Sequence, residues 1–316
     1  MKQELCFNRR QVIQNAALFA GALSLESLAY ASTFREDSEL EQGTIKVEKL
    51  ADNVHVLMGV GGNIAILTGP DGLIQIDSGN KGTYEAQQTA IKSISDKRII
   101  ALINTHWHAD HTGSNEDLGK SGAKIVGHDN LRKRLSSDQF IEAFNAKIPA
   151  SAEVAQPTVT FDNRMTIYHG VEKITMAYMP PAHTDTDIVI HLGKSNIVHL
   201  GDIFFNGMYP FIDSSTGGWI GGMVQAAGRI LTHLEVTTKI IPGHGPVGDK
   251  AQFKAYHEML VAVQEKISPL VQTGKSVDEI VAMKPLADTD AKWGNGFMKP
   301  DTFVKIVVGG IKKFGK

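Results

Sequence analysis

An α/β fold is predicted over residues 45–316 from three observations on the 316-residue chain. Short aliphatic and β-branched runs fall in two sets, one up to residue 128 and one between residues 158 and 241. Segments with apolar residues at helical spacing lie between these runs and after the second set. Glycine, proline and asparagine clusters separate the two kinds of segment. Apolar runs of strand length mark buried strands, and apolar residues three and four apart mark one helix face. Two sets of strands with helices between and after them suggest two sheets covered by helices, an αββα order of layers.

The elements follow in chain order. Residues 45–50 and 54–58 alternate apolar and polar side chains, as half-buried antiparallel strands do. Gly59, Gly61 and Gly62 turn the chain into the run 64–67, and this turn serves either as one wall of a site or as an ordinary hairpin. Gly69, Pro70 and Gly72 lead into a strand over 73–76 that ends at Asp77. Residues 83–94 are helical, residues 99–103 form a buried strand, a helix starts near 113–115, and residues 123–128 form another strand. Leu131, Leu135 and Phe140 mark a helical stretch after it. The second set of strands falls at about 158–161, 165–169, 173–179, 187–192, 196–200 and 238–241. After Lys250, the residues Phe253, Tyr256, Met259, Leu260, Val263 and Ile267 recur on one helix face. Ser276 and Glu279 form a capping box for a further helix. The segment 251–316 reads as a helical cover on the main fold.

His106, His108, Asp110 and His111 stand within six residues, directly after the apolar run 99–103. In an extended backbone His106, His108 and Asp110 share one side and His111 takes the other, so one segment can serve two neighbouring metals. Crowded neutral imidazoles beside a carboxylate suit a metal better than ordinary hydrogen bonding. His183 follows the strand at 173–179, Asp202 follows 196–201, and His244 follows 240–243. With Asp77 these five segments resemble, in order and over about residues 45–250, the motifs of the metallo-β-lactamase superfamily of metal-dependent hydrolases. That resemblance implies the αββα four-layer sandwich, including the face-to-face packing of the sheets, which periodicity alone does not establish.

The resemblance also implies the ligands. His106, His108 and His183 would hold one metal, Asp110, His111 and His244 a second, and Asp202 would bridge both. Two zinc ions per chain are the expected cofactors. Three imidazoles around one ion leave a position open for chemistry. Two ions about 3.5–4 Å apart lower the pKa of a shared water toward ~7, so a bridging hydroxide is the expected nucleophile. Asp110 is the expected catalytic residue, orienting that hydroxide or shuttling its proton. Asp77 is expected to support the metal-bearing loop without ligating, with Thr184 and Asp185 doing the same beside His183. His55, His128, His169, His191, His199, His233 and His257 are expected in structural or surface roles, His128 being the one placed to line a cavity.

A small molecule with an ester, thioester, lactone or lactam bond is the expected substrate. Asp202 stands where cysteine-ligand β-lactamases carry their cysteine and resembles the glyoxalase II, lactonase and thioesterase branches, which leaves a dedicated β-lactamase as an alternative. Phe205 replaces the tyrosine that quorum-quenching lactonases carry three residues after that aspartate. His108 departs from the glutamate of the superfamily's di-iron oxygen reductases. A mononuclear iron persulfide dioxygenase is the other alternative, and it has no need of the second set that His111 and His244 supply. Residues 203–223 contain Phe204, Phe205, Tyr209, Phe211 and Trp219, and read either as an aromatic wall or lid or as a core-packing insert. The cover after Lys250 has a second reading as a substrate-recognition element, as in glyoxalase II relatives.

With 42% hydrophobic and 21% charged residues the composition is that of a globular protein. A formal charge of −2 supplies no basic footprint for nucleic acid, which disfavours the superfamily's nucleases. Arg9 and Arg10 precede an apolar segment from Ala16 to about Leu25, and Ala29 and Ala31 give an A-x-A cleavage site. Residues 1–31 are therefore expected to be an export signal read by the twin-arginine machinery, although Asn8 and Val12 depart from its usual pattern; a Sec signal is the alternative. Residues 32–44 follow as a polar linker. The apolar segment falls short of the ~20 residues that span a bilayer, so no stable membrane insertion is expected after cleavage and the location is periplasmic or otherwise exported. Cys6, the single cysteine, lies in this signal. The mature chain would have neither disulfide nor thiolate ligand, and its metal site would be built from imidazole and carboxylate.

Overall fold

A computed structural model of the chain describes residues 45–315. The expected export signal at 1–31 and linker at 32–44 lie outside the described residues. Strands β1 (Lys46–Ala51), β2 (Val54–Met58), β3 (Ile64–Thr68) and β4 (Leu73–Ile76) form an antiparallel meander. After helix α1 (Tyr84–Lys92), β5 (Ile99–Ile103) pairs parallel to β4, and β6 (Lys124–His128) pairs parallel to β5. The short helices α2 (Ala109–Thr112) and α3 (Asn115–Lys120) connect them, and α4 (Asp129–Leu135) follows β6. A small hairpin, β7 (Gln139–Ile141) and β8 (Ala146–Ile148), stands apart before β9 (Val159–Phe161) closes the seven-stranded sheet beside β6.

The second sheet has five strands in sequential order. β10 (Arg164–His169), β11 (Glu172–Tyr178), β12 (Ile188–Leu192) and β13 (Ile197–His199) are antiparallel, and β14 (Lys239–Ile241) pairs parallel to β13. Helix α5 (Ile220–Leu231) precedes β14, and α6 (Lys250–Gln272), α7 (Val277–Ala282), α8 (Ala287–Trp293) and α9 (Pro300–Phe314) follow it. No helix among the described residues is long and apolar enough to cross a membrane.

Strand periodicity explains the layers. In β2 and β3, Val54, Val56, Ala65 and Leu67 join Ile174, Met176, Ile188 and Ile190 of the second sheet in one core. The alternate residues Leu57, Ile64 and Ile66 pack with Ile91 of α1 and Leu118 of α3 in another. A third core joins Val189, Val198 and Ile240 of the second sheet to Met223, Tyr256, Leu260 and Phe303 of the covering helices. Successive side chains thus enter different cores, which is why these strands read as continuous apolar runs. The result is the α/β/β/α sandwich. Each buried aliphatic side chain contributes roughly 1.5–3 kcal/mol over leaving it in water.

Three local expectations differ from the structure. Phe140 lies on β7 and is exposed, because α4 stops at Leu135 and the Ser136-Ser137-Asp138 stretch breaks the helical spacing. Residues 203–223 are not all loop: Ile220 starts α5, whose Gly222 is required because a Cβ there would lie 2.0 Å from the Pro181 carbonyl oxygen. Helical geometry also begins inside the histidine-rich segment, at Ala109, ahead of the helix expected near 113–115.

Candidate metal centre

The carboxyl ends of β4, β5, β13 and β14 and the loop between β11 and β12 converge on one point. β5 delivers Asn104 to His111, β13 delivers Asp202, β14 delivers His244, and the β11–β12 loop delivers His183. His108 is the last extended residue (φ −62°, ψ 151°) before α2. His106 and His108 do fall in one group, although β5 ends at Ile103 and residues 105–107 bend, whereas Asp110 turns with α2 and joins His111 and not the first two histidines. This corrects the extended-backbone reading; the physical reason is the helical turn at Ala109–Thr112.

The donor atoms fall into two groups, one of His106, His108, His183 and Asp202 and one of Asp110, His111 and His244. Within the first, His108 Nδ1 and His183 Nε2 are 2.8 Å apart. Asp202 faces both groups. Its Oδ2 lies 3.4 Å from His183 Nε2 and 3.8 Å from His106 Nε2, while Oδ1 lies 3.1 Å from His111 Nε2 and 3.5 Å from His244 Nε2. Asp110 Oδ2 is 3.1 Å from His244 Nε2. His106 Nε2, His111 Nε2 and Asp202 Oδ1 are buried with no hydrogen-bond partner. Three buried donor atoms without a hydrogen-bond partner in one cluster are costly unless a cation receives them, so the donor set fits divalent metal ions.

The other ring nitrogen of four of these histidines is anchored. Thr105 Oγ1 lies 3.1 Å from His106 Nδ1, Asp213 Oδ2 lies 3.2 Å from His108 Nε2, Asp77 Oδ2 lies 2.7 Å from His111 Nδ1, and the Phe211 carbonyl lies 2.8 Å from His183 Nδ1. Such partners fix ring orientation and leave the remaining nitrogen's lone pair free. Asp77, at φ +60°, also accepts from the Thr105 N–H and hydroxyl, both at 2.7 Å. Beside His183, Thr184 hydrogen-bonds Asp187, which also accepts from the His183 N–H at 2.8 Å. Asp185 turns outward to an ion pair with Arg134 at 2.7 Å. Asp187 and Asp213 went unnoticed in the sequence.

The glycine turn proves to be both hairpin and wall. Gly62 N–H donates to the Asp110 carbonyl and Asn63 N–H to the Gly243 carbonyl, tying two donor-bearing loops together. A Cβ on Gly62 would lie 2.1 Å from His111 Cε1. The aromatic stretch divides: Phe204 and Tyr209 pack into the core against Phe253 and Phe303, while Phe205 stacks on His244 and Phe211 packs on His108 and His183. His128 stacks on Tyr178 and caps α4, away from the cluster.

Electrostatics separate the two groups. Burial, with the neighbouring imidazole of His111, holds His106 well below its usual pKa, and burial brings His183 down to about 4. Burial opposes ionisation of Asp202, but the imidazoles of His244 and His111 outweigh it and hold the carboxyl well below its usual range. Burial likewise opposes charge on His244, yet the carboxylates of Asp202 and Asp110 raise it to about 9. His106 and His183 are thus poised as neutral donors, and His244, like His111, at which Asp202 and Asp110 also outweigh burial, carries a proton that a metal would displace.

Residues 57–246 match the family described as the metallo-beta-lactamase superfamily. A metallo-beta-lactamase type 2 of Bacillus sp. (strain 170) is 26% identical over 220 residues, covering 66% of this chain and 80% of its own length. Among solved structures, a metallo-beta-lactamase from Pontibacter korlensis superposes with a TM-score of 0.57 at 20% identity, over 68% of this chain and 98% of its own. A stereoselective inverting sec-alkylsulfatase from Pseudomonas sp. superposes with a TM-score of 0.65 at 14% identity, over 86% of this chain and 50% of its own. With the fold, the order of the donor-bearing loops and a family match over most of the sandwich in agreement, this chain belongs to the metallo-beta-lactamase superfamily.

Proposed function

We propose that this chain is a zinc-dependent hydrolase with two metals, cleaving an ester, thioester, lactone or lactam bond of a small molecule. The observation that carries the reading is the split carboxylate of Asp202, with Oδ2 toward one histidine group and Oδ1 toward the other. A donor set of imidazole and carboxylate without thiolate suits zinc in an open, reactive site. When bound, the ions would supply Lewis acidity, lowering the pKa of water toward ~7 and polarising the scissile bond.

The chain's own groups do the rest. His106, His108 and His183, held by Thr105, Asp213 and the Phe211 carbonyl, turn Nε2, Nδ1 and Nε2 respectively toward the donor cluster. Asp202 spaces the two groups. Asp110 and His244 are the donors most open to solvent, at 33% and 26% side-chain exposure, so the substrate enters on their side. Asp110 Oδ2 is placed to orient the nucleophile and to take up or release its proton. Phe205, stacked on His244, excludes water from one flank.

Metal analysis and a panel of lactones, thioesters, β-lactams, phosphotriesters and sulfate esters test the reading. Two zinc ions per chain, chelator-sensitive hydrolysis, and loss of metal and activity in Asp202→Ala are expected. Full activity in Asp202→Ala would sink the bridging role, and one iron per chain with oxygen consumption on a persulfide would overturn the hydrolase. The Bacillus relative favours a second reading, β-lactam hydrolysis, which the same panel resolves.

A further inference from the structure

Three separate excursions of the chain bring aromatic rings into file beside the first histidine group. Phe211, from the segment after Asp202, lies with its ring centroid 5.5 Å from His108 and 5.9 Å from His183. Phe144, from the turn of the β7–β8 hairpin, lies 4.7 Å from Phe211. Phe297, from the loop between α8 and α9, lies 6.1 Å from Phe144. Phe211 is buried, Phe144 is half-buried, and Phe297 is 55% exposed, so the file grades from the donor cluster to water. We propose that this row binds a straight hydrocarbon chain, the non-reacting acyl or alkyl portion of the substrate.

Physical reasons favour that occupant. Phe297 leaves more than half its surface in water although the chain is anchored just before its loop, at the end of α8, where the Trp293 carbonyl accepts from Tyr209 N–H at 2.8 Å. The hairpin is held as well: Glu142 N–H donates to Ser215 Oγ at 2.8 Å. An isolated exposed ring needs no explanation, but one in serial contact with two donor imidazoles through two further rings is a continuous apolar surface leading from water toward the donor cluster. The two charges beside the hairpin, Glu142 and Lys313, lie 3.8 Å apart and face each other. A charged substituent against the ring faces would give up hydration there, whereas a hydrocarbon gains by leaving water. Three rings in file match an extended chain better than a single flat group. The Phe211 carbonyl also holds His183 Nδ1 at 2.8 Å, so the inner end of the row is locked in register with the donor cluster.

The inference rests on the hydrolase reading only for the position of the reacting bond, and its test is therefore a binding experiment. The zinc-loaded full chain is titrated calorimetrically with straight-chain carboxylates from acetate to octanoate. Full burial of a methylene is worth ~0.8 kcal/mol, about fourfold, and a row open to solvent on one side keeps about twofold per methylene. The ratio of octanoate to butanoate affinity is expected to fall at least threefold in Phe297→Ala, to recover in Phe297→Leu, and to stay at the wild-type value in Tyr168→Ala, which removes an exposed ring from the second sheet. Affinity that is absent or flat along the series, or a Phe297→Ala ratio equal to wild type, overturns the proposal. Hydrolysis of p-nitrophenyl esters of the same chain lengths is followed in parallel. No turnover of any ester with the binding gradient intact refutes the hydrolase reading and upholds the apolar row.

Discussion

Replacing Asp77 with asparagine changes one atom and, through it, the tautomer of His111. The backbone N–H of Thr105 faces Asp77 Oδ1 at 2.7 Å and can only donate, so the asparagine keeps its oxygen there. Its NH2 then takes the place of Oδ2, 2.7 Å from His111 Nδ1 and 2.7 Å from Thr105 Oγ1. The Thr105 hydroxyl can rotate to accept from that NH2 while it goes on accepting from His106 Nδ1–H at 3.1 Å. The imidazole has no such freedom: it must accept at Nδ1, which moves its proton to Nε2, the atom that faces Asp202 and the second donor group. Loss of such an orienting partner costs roughly 10- to 100-fold in metal affinity, or ~1.4–2.7 kcal/mol. The fold should survive, because asparagine tolerates the φ of +60° at this position. Asp77→Ala should not: about 1–2 kcal/mol of backbone strain adds to buried donors left unpaired at about 1–3 kcal/mol each. Competition against a chromogenic chelator resolves the two affinities, with circular dichroism as the check on folding. A folded Asp77→Asn protein that binds both ions as tightly as wild type would refute the tautomer argument.

Further expectations concern the same framework. Asp213→Ala removes the acceptor at 3.2 Å from His108 Nε2 and should weaken the first ion about 10- to 100-fold while sparing the second, read by the same chelator competition. Gly62→Ala should displace the His111 ring, whose Cε1 lies 2.1 Å from the new Cβ, and lower the second-site stoichiometry; Gly59→Ala, with open space around its Cβ, should cost stability through its φ of +100° and keep both metals. Because His244 is raised to about 9, the metal-free protein carries a proton there at neutral pH, and a metal must displace it. Apparent affinity at the second site should therefore rise at least about tenfold per pH unit from pH 7, His111 being raised as well and adding a second proton to displace, and a pH-independent constant would contradict it. In the absence of metal the sign reverses: stability contributed by protonated His244 is full below about pH 6.5 and is lost as the pH rises through about 9, which thermal melts in chelator would show.

The α/β order was legible because the central strands are buried on both faces. Leu57, Ile64 and Ile66 face α1 and α3, while Val56, Ala65 and Leu67 face the second sheet, and continuous apolar runs are the trace of that double burial. The errors arose where a local pattern had two physical explanations. Phe140 extends the spacing of Leu131 and Leu135 by chance, and only the exposure of the β7–β8 hairpin shows that it has left the helix. Helix α5 was hidden by Gly221, Gly222 and Gly228, residues that argue against a helix in isolation. At Gly222 that propensity cost is offset by packing, since any side chain there would strike the Pro181 carbonyl.

The donor residues were legible for a different reason. Each sits at or just past the end of its own strand, so its identity and place are local facts of sequence. Their supports are not local: Asp213 reaches His108 across 105 positions and Asp77 reaches His111 across 34, and a carboxylate that orients an imidazole looks like any other until the fold closes. The case of Asp110 shows how a local rule fails usefully. Extended alternation placed it beside His106 and His108, but the helical turn at Ala109 swings it toward His244, 3.1 Å away, where its carboxylate helps to hold a proton. In a chain extended through residue 111, Asp110 would have pointed to the first group and left His111 and His244 without their carboxylate. One turn of helix, placed between His108 and His111, is what gives the segment two separate sets of donors.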